Sequence, residues 1–317
     1  MKVEESRIGF IGLGEMGRRL ARRLIDRGFR VSVYDRTAKR IEQLVGIGAI
    51  AADSVRTIAT NSDVIMSCVT NDYAVLEIYA GEHGALSASR PGTIVIEMST
   101  VLPETSRKLG ELGRERGIEV LDVPISGSTP VAEEGNLILF GGGDQETFEC
   151  CGPIFRALSR RSYYIGSHGA GNAMKLVVNT LLGVNMQAIA EAATLGERIG
   201  LDRKCMLEVL AQTAVVAPAH QGKLLRAARD DYSPQFPLKL MQKDFRLILG
   251  LANDHRVAMP ATTAASIVNR KCAELGDLDF SFVMEEMRRR GDSERCESSP
   301  VELEPERSSP ATGSTKG

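Results

Sequence analysis

The run Gly12-Leu13-Gly14-Glu15-Met16-Gly17 constrains the chain more than any other feature, because of what stands on each side of it. The apolar stretch Ile8–Ile11 precedes it, and the amphipathic stretch Met16–Arg27 opens from it. A strand that turns at once into a helix needs a first glycine for the tight turn. A second lets a ligand approach the backbone, and a third lets helix and strand pack closely. The helix start offers unpaired N–H groups and the positive end of a dipole, which suits phosphates. A second strand, Val31–Asp35, ends in a carboxylate placed to accept hydrogen bonds from an adenosine ribose. The pattern predicts a dinucleotide-binding βαβ unit, with Gly12, Leu13, Gly14, Glu15, Met16 and Gly17 as the cofactor loop. Asp35 favours NAD, whereas Arg36 and Thr37 directly after it, with Arg40, suit the 2′-phosphate of NADP. These residues alone leave both cofactors open.

Further strand patterns fall at Val64–Val69, Thr93–Met98, Glu119–Val123, Leu137–Phe140 and Tyr163–Ile165, with helical stretches such as Glu104–Arg116 between them. This alternation predicts an α/β N-terminal domain, Rossmann-like with a parallel sheet, over 1–165. Beyond it the pattern turns helical: a long apolar run over Ala173–Gly200, then Cys205–Gln212, Gln221–Ala228, Met241–Asn253 and Pro260–Leu275. An all-α C-terminal domain over 166–290 is expected to carry substrate-binding and dimerisation surfaces. Residues 291–317 are rich in Ser, Pro, Glu and Gly, and predict a disordered tail that buries too little apolar surface to offset its ordering entropy.

Composition narrows the function classes. With 39 basic against 41 acidic residues, the net charge of −2 gives no electrostatic reason for a nucleic-acid partner. No apolar run reads as long enough to span a bilayer, so no membrane partner is expected. The start of the chain lacks the basic, apolar and small-residue regions of a signal peptide. Six scattered cysteines without a C-x-x-C spacing suit reduced thiols, and a cytoplasmic location is expected. Neither they nor the four separated histidines form a local metal-binding pattern.

Lys175 and Asn179 stand four apart on one helical segment, so their side chains share a face. A lysine near the start of an apolar helix feels an unfavourable dipole and partial burial. Both lower its pKa toward a value useful for proton transfer. Ser126 and Gly127, after the strand ending at Val123, offer a hydroxyl and backbone N–H groups suited to a small carboxylate.

Four ordered motifs, IGFIGLGEMG, DVPISGSTPVAEEGNLILFGGG, GAGNAMKLVVN and FPLKLMQKDFRLIL, resemble those of the β-hydroxyacid dehydrogenase family, over about residues 7–287. That family includes 3-hydroxyisobutyrate dehydrogenases and glyoxylate/succinic semialdehyde reductases. The resemblance implies that Lys175 gives the proton to the substrate oxygen in reduction and takes it in oxidation. Asn179 is then expected to bond the substrate or hold the lysine, and Ser126, Gly127 and Ser128 to hold the substrate. Relatives carry a second glycine where this chain has Ser128. Thr100 is expected beside the nicotinamide and Val69 and Asn71 at the cofactor, with Lys243 reaching back to the cofactor and substrate from the helical domain.

The segments FPLKLMQKDFRLILGLA and GDLDFSFV resemble the semialdehyde reductase branch. They imply NADP(H)-dependent interconversion of a small aldehyde acid, succinic semialdehyde or glyoxylate, with its hydroxyacid. An NAD-dependent 3-hydroxyisobutyrate dehydrogenase is the close alternative. A catalytically silent dinucleotide-binding interaction protein is the alternative of another class. The long apolar helix and the resemblance together imply a homodimer or homotetramer.

Overall fold

The structure is a computed structural model and describes residues 3–275 and 277–293. A 3-10 turn (Val3–Glu5) leads into β1 (Arg7–Ile11), α1 (Gly17–Asp26), β2 (Arg30–Tyr34), α2 (Ala38–Val45) and β3 (Ile50–Ala51). Then come α3 (Val55–Asn61), β4 (Val64–Ser67), α4 (Asp72–Ala80), α5 (Ala85–Ala88), β5 (Ile94–Glu97), α6 (Pro103–Arg114) and β6 (Glu119–Asp122). The first half ends with β7 (Ile125–Ser126), α7 (Thr129–Glu134), β8 (Leu137–Gly142), α8 (Gln145–Cys150), α9 (Gly152–Leu158) and β9 (Ser159–Gly166).

All these strands join one sheet in the order β3-β2-β1-β4-β5-β6-β8-β7, with β9 paired to β8. From β3 to β6 every pairing is parallel. β4 and β5 are buried along their whole length, as central strands covered by helices on both faces must be. The chain leaves β1 for β2 on one side and returns to β4 on the other. The C-terminal ends of these strands therefore flank a crevice at the switch point, where open parallel sheets bind ligands.

The parallel pattern fails at β8, which runs antiparallel to β6 and β7. α7 has six residues and spans about 9 Å, too little to carry the chain back across the sheet face. The chain reverses instead. Two strands, β3 and β7, are two residues long, too short to show a period in the sequence.

The second half comprises α10 (Ala170–Arg198), α11 (Arg203–Leu210), α12 (Pro218–Ala227), α13 (Leu238–Asp254), α14 (Pro260–Ala273), a 3-10 turn (Phe280–Phe282) and α15 (Val283–Ser293). α10 is the axis. Leu176, Met186 and Ala190 share a core with Leu224, Met241, Phe245 and Phe280. Its apolar length departs from the expectation that no run could span a bilayer. α10 contains an 18-residue window long and apolar enough, by length and composition, to cross a membrane. In this fold the helix packs against β8, β9, α6, α11, α13, α14 and α15, as the central helix of its domain. α15 continues to Ser293, into the segment expected as tail; residues 294–317 lie outside the described residues.

Candidate active site

At the switch point the glycine loop behaves as its sequence predicts. Gly12 has φ +90° and lies against the backbone of Cys68 and the side chain of Val69. A Cβ on Gly17 would stand 1.9 Å from the Gly12 carbonyl oxygen, so α1 could not start so close to β1. A Cβ on Gly14 would meet nothing within 4 Å. Its backbone therefore faces open space in a cleft of about 1920 Å³ that runs from this loop to the helical domain. The open backbone, the helix start and the uncovered strand ends fit a dinucleotide.

Asp35 serves this loop more than the cleft. Its carboxylate accepts from the Leu13 N–H at 2.7 Å and the Thr37 N–H at 2.8 Å, with Arg40 at 3.4 Å. Arg36 lines the cleft, is exposed, and has no hydrogen-bond or ion-pair partner among the described residues. Arg56, unmarked in the sequence, lines the same end with Ser54 and Thr37. Glu15 pairs with Arg18 and Arg19 at the mouth, and Met16 also lines the cleft.

Two expected cofactor residues point elsewhere. The Leu13 side chain is fully buried in the core, and its N–H is taken by Asp35. Asn71 caps α4 by accepting from the Ala74 N–H at 2.9 Å, and is not among the residues lining the cleft. A polar residue between a strand and a helix serves here as a helix cap.

Thr100 does line the cleft, and the residue capping α6 is Leu102. The Thr100 carbonyl accepts from Lys243 Nζ at 2.6 Å. Lys243 is also in ion-pair contact with Asp244 at 3.0 Å, and the other oxygen of Asp244 accepts from Asn179 Nδ2 at 2.6 Å. α13 and α10 are thus tied to each other and to the end of β5. Asn179 is 1 % exposed, and its Oδ1 has no partner.

Lys175 stands one turn before Asn179, lines the cleft, and has no hydrogen-bond or ion-pair partner among the described residues. Burial pushes its pKa down to about 8, a shift that Asp244 opposes and Lys243 reinforces. The helix carrying it is pinned by a residue the sequence did not single out. Asp122, at the end of β6, accepts from the Gly169 N–H at 2.8 Å and the Asn172 N–H at 2.9 Å. Asn172 in turn accepts from the Val101 N–H and donates to Ser106.

Ser126, Gly127 and Ser128 face the same cleft. Ser128 stands before α7 without using its hydroxyl as a cap, so that group is free to meet a ligand. Val69 lines the floor, its N–H donated to Ser99 Oγ at 2.8 Å. The far wall comes from Phe236, His220 and Lys239, none of them foreseen. His220 is buried and donates from Nε2 to the Leu182 carbonyl at 2.9 Å. His168 sits outside the cleft lining, its Nε2 at 2.9 Å from the Val120 carbonyl, as a turn residue.

This is the architecture of a dehydrogenase that binds a nicotinamide dinucleotide at a switch point and presents a half-buried lysine from a second, helical domain. Residues 7–166 match the family described as the NAD-binding domain of 6-phosphogluconate dehydrogenase. Residues 169–286 match that described as NAD-binding of NADP-dependent 3-hydroxyisobutyrate dehydrogenase. The chain belongs to the 3-hydroxyisobutyrate dehydrogenase family, whose members are NAD(P)-dependent hydroxyacid dehydrogenases and reductases. It is 37 % identical over 280 residues to glyoxylate/succinic semialdehyde reductase 1 of Arabidopsis thaliana, covering 88 % of this chain and 97 % of that one. Identity to 2-(hydroxymethyl)glutarate dehydrogenase of Eubacterium barkeri is 33 % over 281 residues, covering 88 % and 93 %. A solved 3-hydroxyisobutyrate dehydrogenase of Mycobacterium tuberculosis, with L-serine, superposes with a TM-score of 0.81 at 27 % identity, covering 90 % and 99 %.

Proposed function

We propose that the chain reduces a small aldehyde acid, succinic semialdehyde or glyoxylate, to its hydroxyacid with NADPH, and runs the reverse reaction with NADP. The observation that carries this reading is Lys175: a half-buried, unpartnered lysine whose pKa is lowered to about 8, on the face of α10 that lines the cleft. When bound, the nicotinamide supplies or takes the hydride. Lys175 supplies the proton to the carbonyl oxygen in reduction and removes it from the hydroxyl in oxidation. The Ser126 and Ser128 hydroxyls and the Gly127 backbone hold the carboxylate. Asn179, fixed by Asp244, keeps an Oδ1 that has no partner and is free to accept from the lysine or the substrate hydroxyl. Following nicotinamide absorbance with NADPH and NADH against glyoxylate, succinic semialdehyde and 3-hydroxyisobutyrate tests the reading. Turnover is expected with NADPH and one of the aldehyde acids. Turnover confined to 3-hydroxyisobutyrate with NAD would replace this reading with its alternative.

Cofactor choice rests on the adenosine end. Asp35 is engaged by two backbone N–H groups, whereas Arg36 is unengaged and Arg56 lies in the same wall. A charge-assisted bond to a phosphate contributes about 1.5–3 kcal/mol. Arg36→Ala is therefore expected to weaken NADPH about 10- to 100-fold and leave NADH nearly unchanged, measured as dissociation constants by fluorescence titration. Equal losses for both cofactors would remove the 2′-phosphate role.

The oligomer expected from the sequence remains part of the proposal. α10 exposes Val177, Leu181 and Leu195 at 59–62 %, apolar side chains that a second copy would cover.

A further inference from the structure

Beneath the part of the cleft lined by Val69 and Thr100 lies a buried acid to which the mechanism above gives no task. Glu97 closes β5 and is 2 % exposed. Its Oε1 accepts from the Ser99 N–H at 2.8 Å and lies 3.5 Å from Ser67 Oγ, which accepts from the Tyr79 hydroxyl at 2.9 Å. Ser99 in turn uses its own hydroxyl oxygen to accept from the Val69 N–H at 2.8 Å. Glu97 Oε2 is buried without a hydrogen-bond partner. One side chain thus braces the turns after β4 and β5, and those turns carry Val69 and Thr100 into the cleft. From Thr100 the contacts continue through Lys243 and Asp244 to Asn179.

We propose that Glu97 is a positioning residue held as a neutral carboxylic acid, whose buried bonds set the spacing of Val69 and Thr100 and, through Thr100, the placement of Lys243. In a dry interior an ionised carboxylate with one oxygen lacking any donor costs far more than the neutral acid, whose unpartnered oxygen carries no charge. The surroundings agree. Glu97 faces Tyr79 from α4, Cys68 beyond β4, Asp122 from β6 and Lys243 from α13. Burial first, with Asp122 adding to it, pushes its pKa up to about 8 against the hydrogen bonds from Ser99 and the pull of Lys243. Ionised, Glu97 competes with Asp244 and the Thr100 carbonyl for the Lys243 ammonium and slackens the chain of contacts that holds Asn179.

Protein labelled with carbon-13 at glutamate side-chain carboxyls tests this without a substitution and without cofactor. At pH 7 one protonated glutamate signal is expected by infrared or carbon-detected NMR, disappearing as pH rises through about 8. An absence of protonated glutamate at pH 7 overturns the proposal, whether or not the cleft takes NADPH. Glu97→Gln, which keeps the shape and the acceptor oxygen without a charge, should abolish that signal. It should also keep kcat, KM and the NADPH dissociation constant within about twofold at pH 7. Glu97→Ala, which leaves the Ser99 N–H and Ser67 without their acceptor, should weaken NADPH about tenfold. A glutamine variant as impaired as the alanine variant shows that the negative charge is required, and the proposal fails. The linkage sign gives a third readout. The folded state keeps a proton that the unfolded state loses near the ordinary value of 4.5, so this group lowers stability as pH rises from there to about 8. Glu97→Gln should flatten that decline in the denaturation midpoint; an unchanged slope counts against the neutral acid.

Discussion

Replacing Lys175 with alanine is expected to lower kcat about 10²- to 10⁴-fold, the range general acid–base groups contribute, while the NADPH dissociation constant stays within a few-fold. The split follows from position. Lys175 lines the cleft from α10, whereas the glycine loop and Arg36 that would hold the dinucleotide belong to the other domain. The pH dependence carries a sign. Burial lowers the lysine from its ordinary 10.5 to about 8, so the ammonium predominates below that value and the free amine above it. Reduction, which needs the ammonium, should decline as pH rises through about 8, and oxidation, which needs the amine, should rise over the same interval. Lys175→Arg separates charge from proton transfer, since a guanidinium keeps its proton throughout. That variant should bind the carboxylate yet fail to restore the titration. Steady-state rates in both directions across pH 6–10 check all of this. An alanine variant with near-native kcat would move the proton-donor role to another residue.

The part of this site that local backbone geometry dictates is legible in the sequence. Gly12, Gly14 and Gly17 each meet the condition that their spacing implies: a positive φ, an open approach and a close helix–strand contact. Lys175 and Asn179 share a helix face because four residues make about one turn. The same reading places Leu13 and Asn71 at the cofactor, and here it fails. A motif marks a stretch of backbone, but not which way each side chain turns: Leu13 turns into the core and Asn71 onto the N–H of Ala74. Asp35 is a subtler case, since its carboxylate meets the glycine loop itself through Leu13.

What stays hidden is what long-range convergence makes. Asp122 and the start of α10 are 47 residues apart in sequence at their closest hydrogen bond, and no local pattern links them. Glu97 occupies an ordinary strand end until Ser67, Tyr79 and Ser99 close around it. Arg56 follows β3, whose two residues are too few to show a period. The reversal at β8 belongs to the same class, because it depends on the length of α7 and on the sheet edge available when the chain returns.

Asp279 offers the largest stability effect in the helical domain. Both its oxygens lie 2.8 Å from Lys223 Nζ, and it also accepts from the Gln235, Phe236 and Ser281 N–H groups and the Ser281 hydroxyl. Asp279 and Lys223 are 1 % and 6 % exposed. Burial alone would raise the carboxyl, but the ammonium and the N–H donors hold it below its ordinary 3.8. Asp279→Ala strands a buried ammonium and three backbone donors, a loss of about 3–5 kcal/mol, or roughly 10–20 °C in Tm for a domain of this size. The pair's contribution is present above pH 3.8 and lost as pH falls through the lowered value. Lys223→Met in the Asp279→Ala background removes the stranded charge and should recover part of the loss, but not all, because the donors at Gln235 and Phe236 still lack an acceptor. Function moves with it: Phe236 and Pro237 line the cleft, so the single variant should raise substrate KM more than it lowers kcat. Denaturant melts of the two single variants and the double variant form the cycle that measures this coupling. A loss below about 1 kcal/mol for Asp279→Ala would mean that water reaches Lys223, and that packing on Phe280 and the bond from the Phe280 N–H to the Phe236 carbonyl suffice to hold the loop.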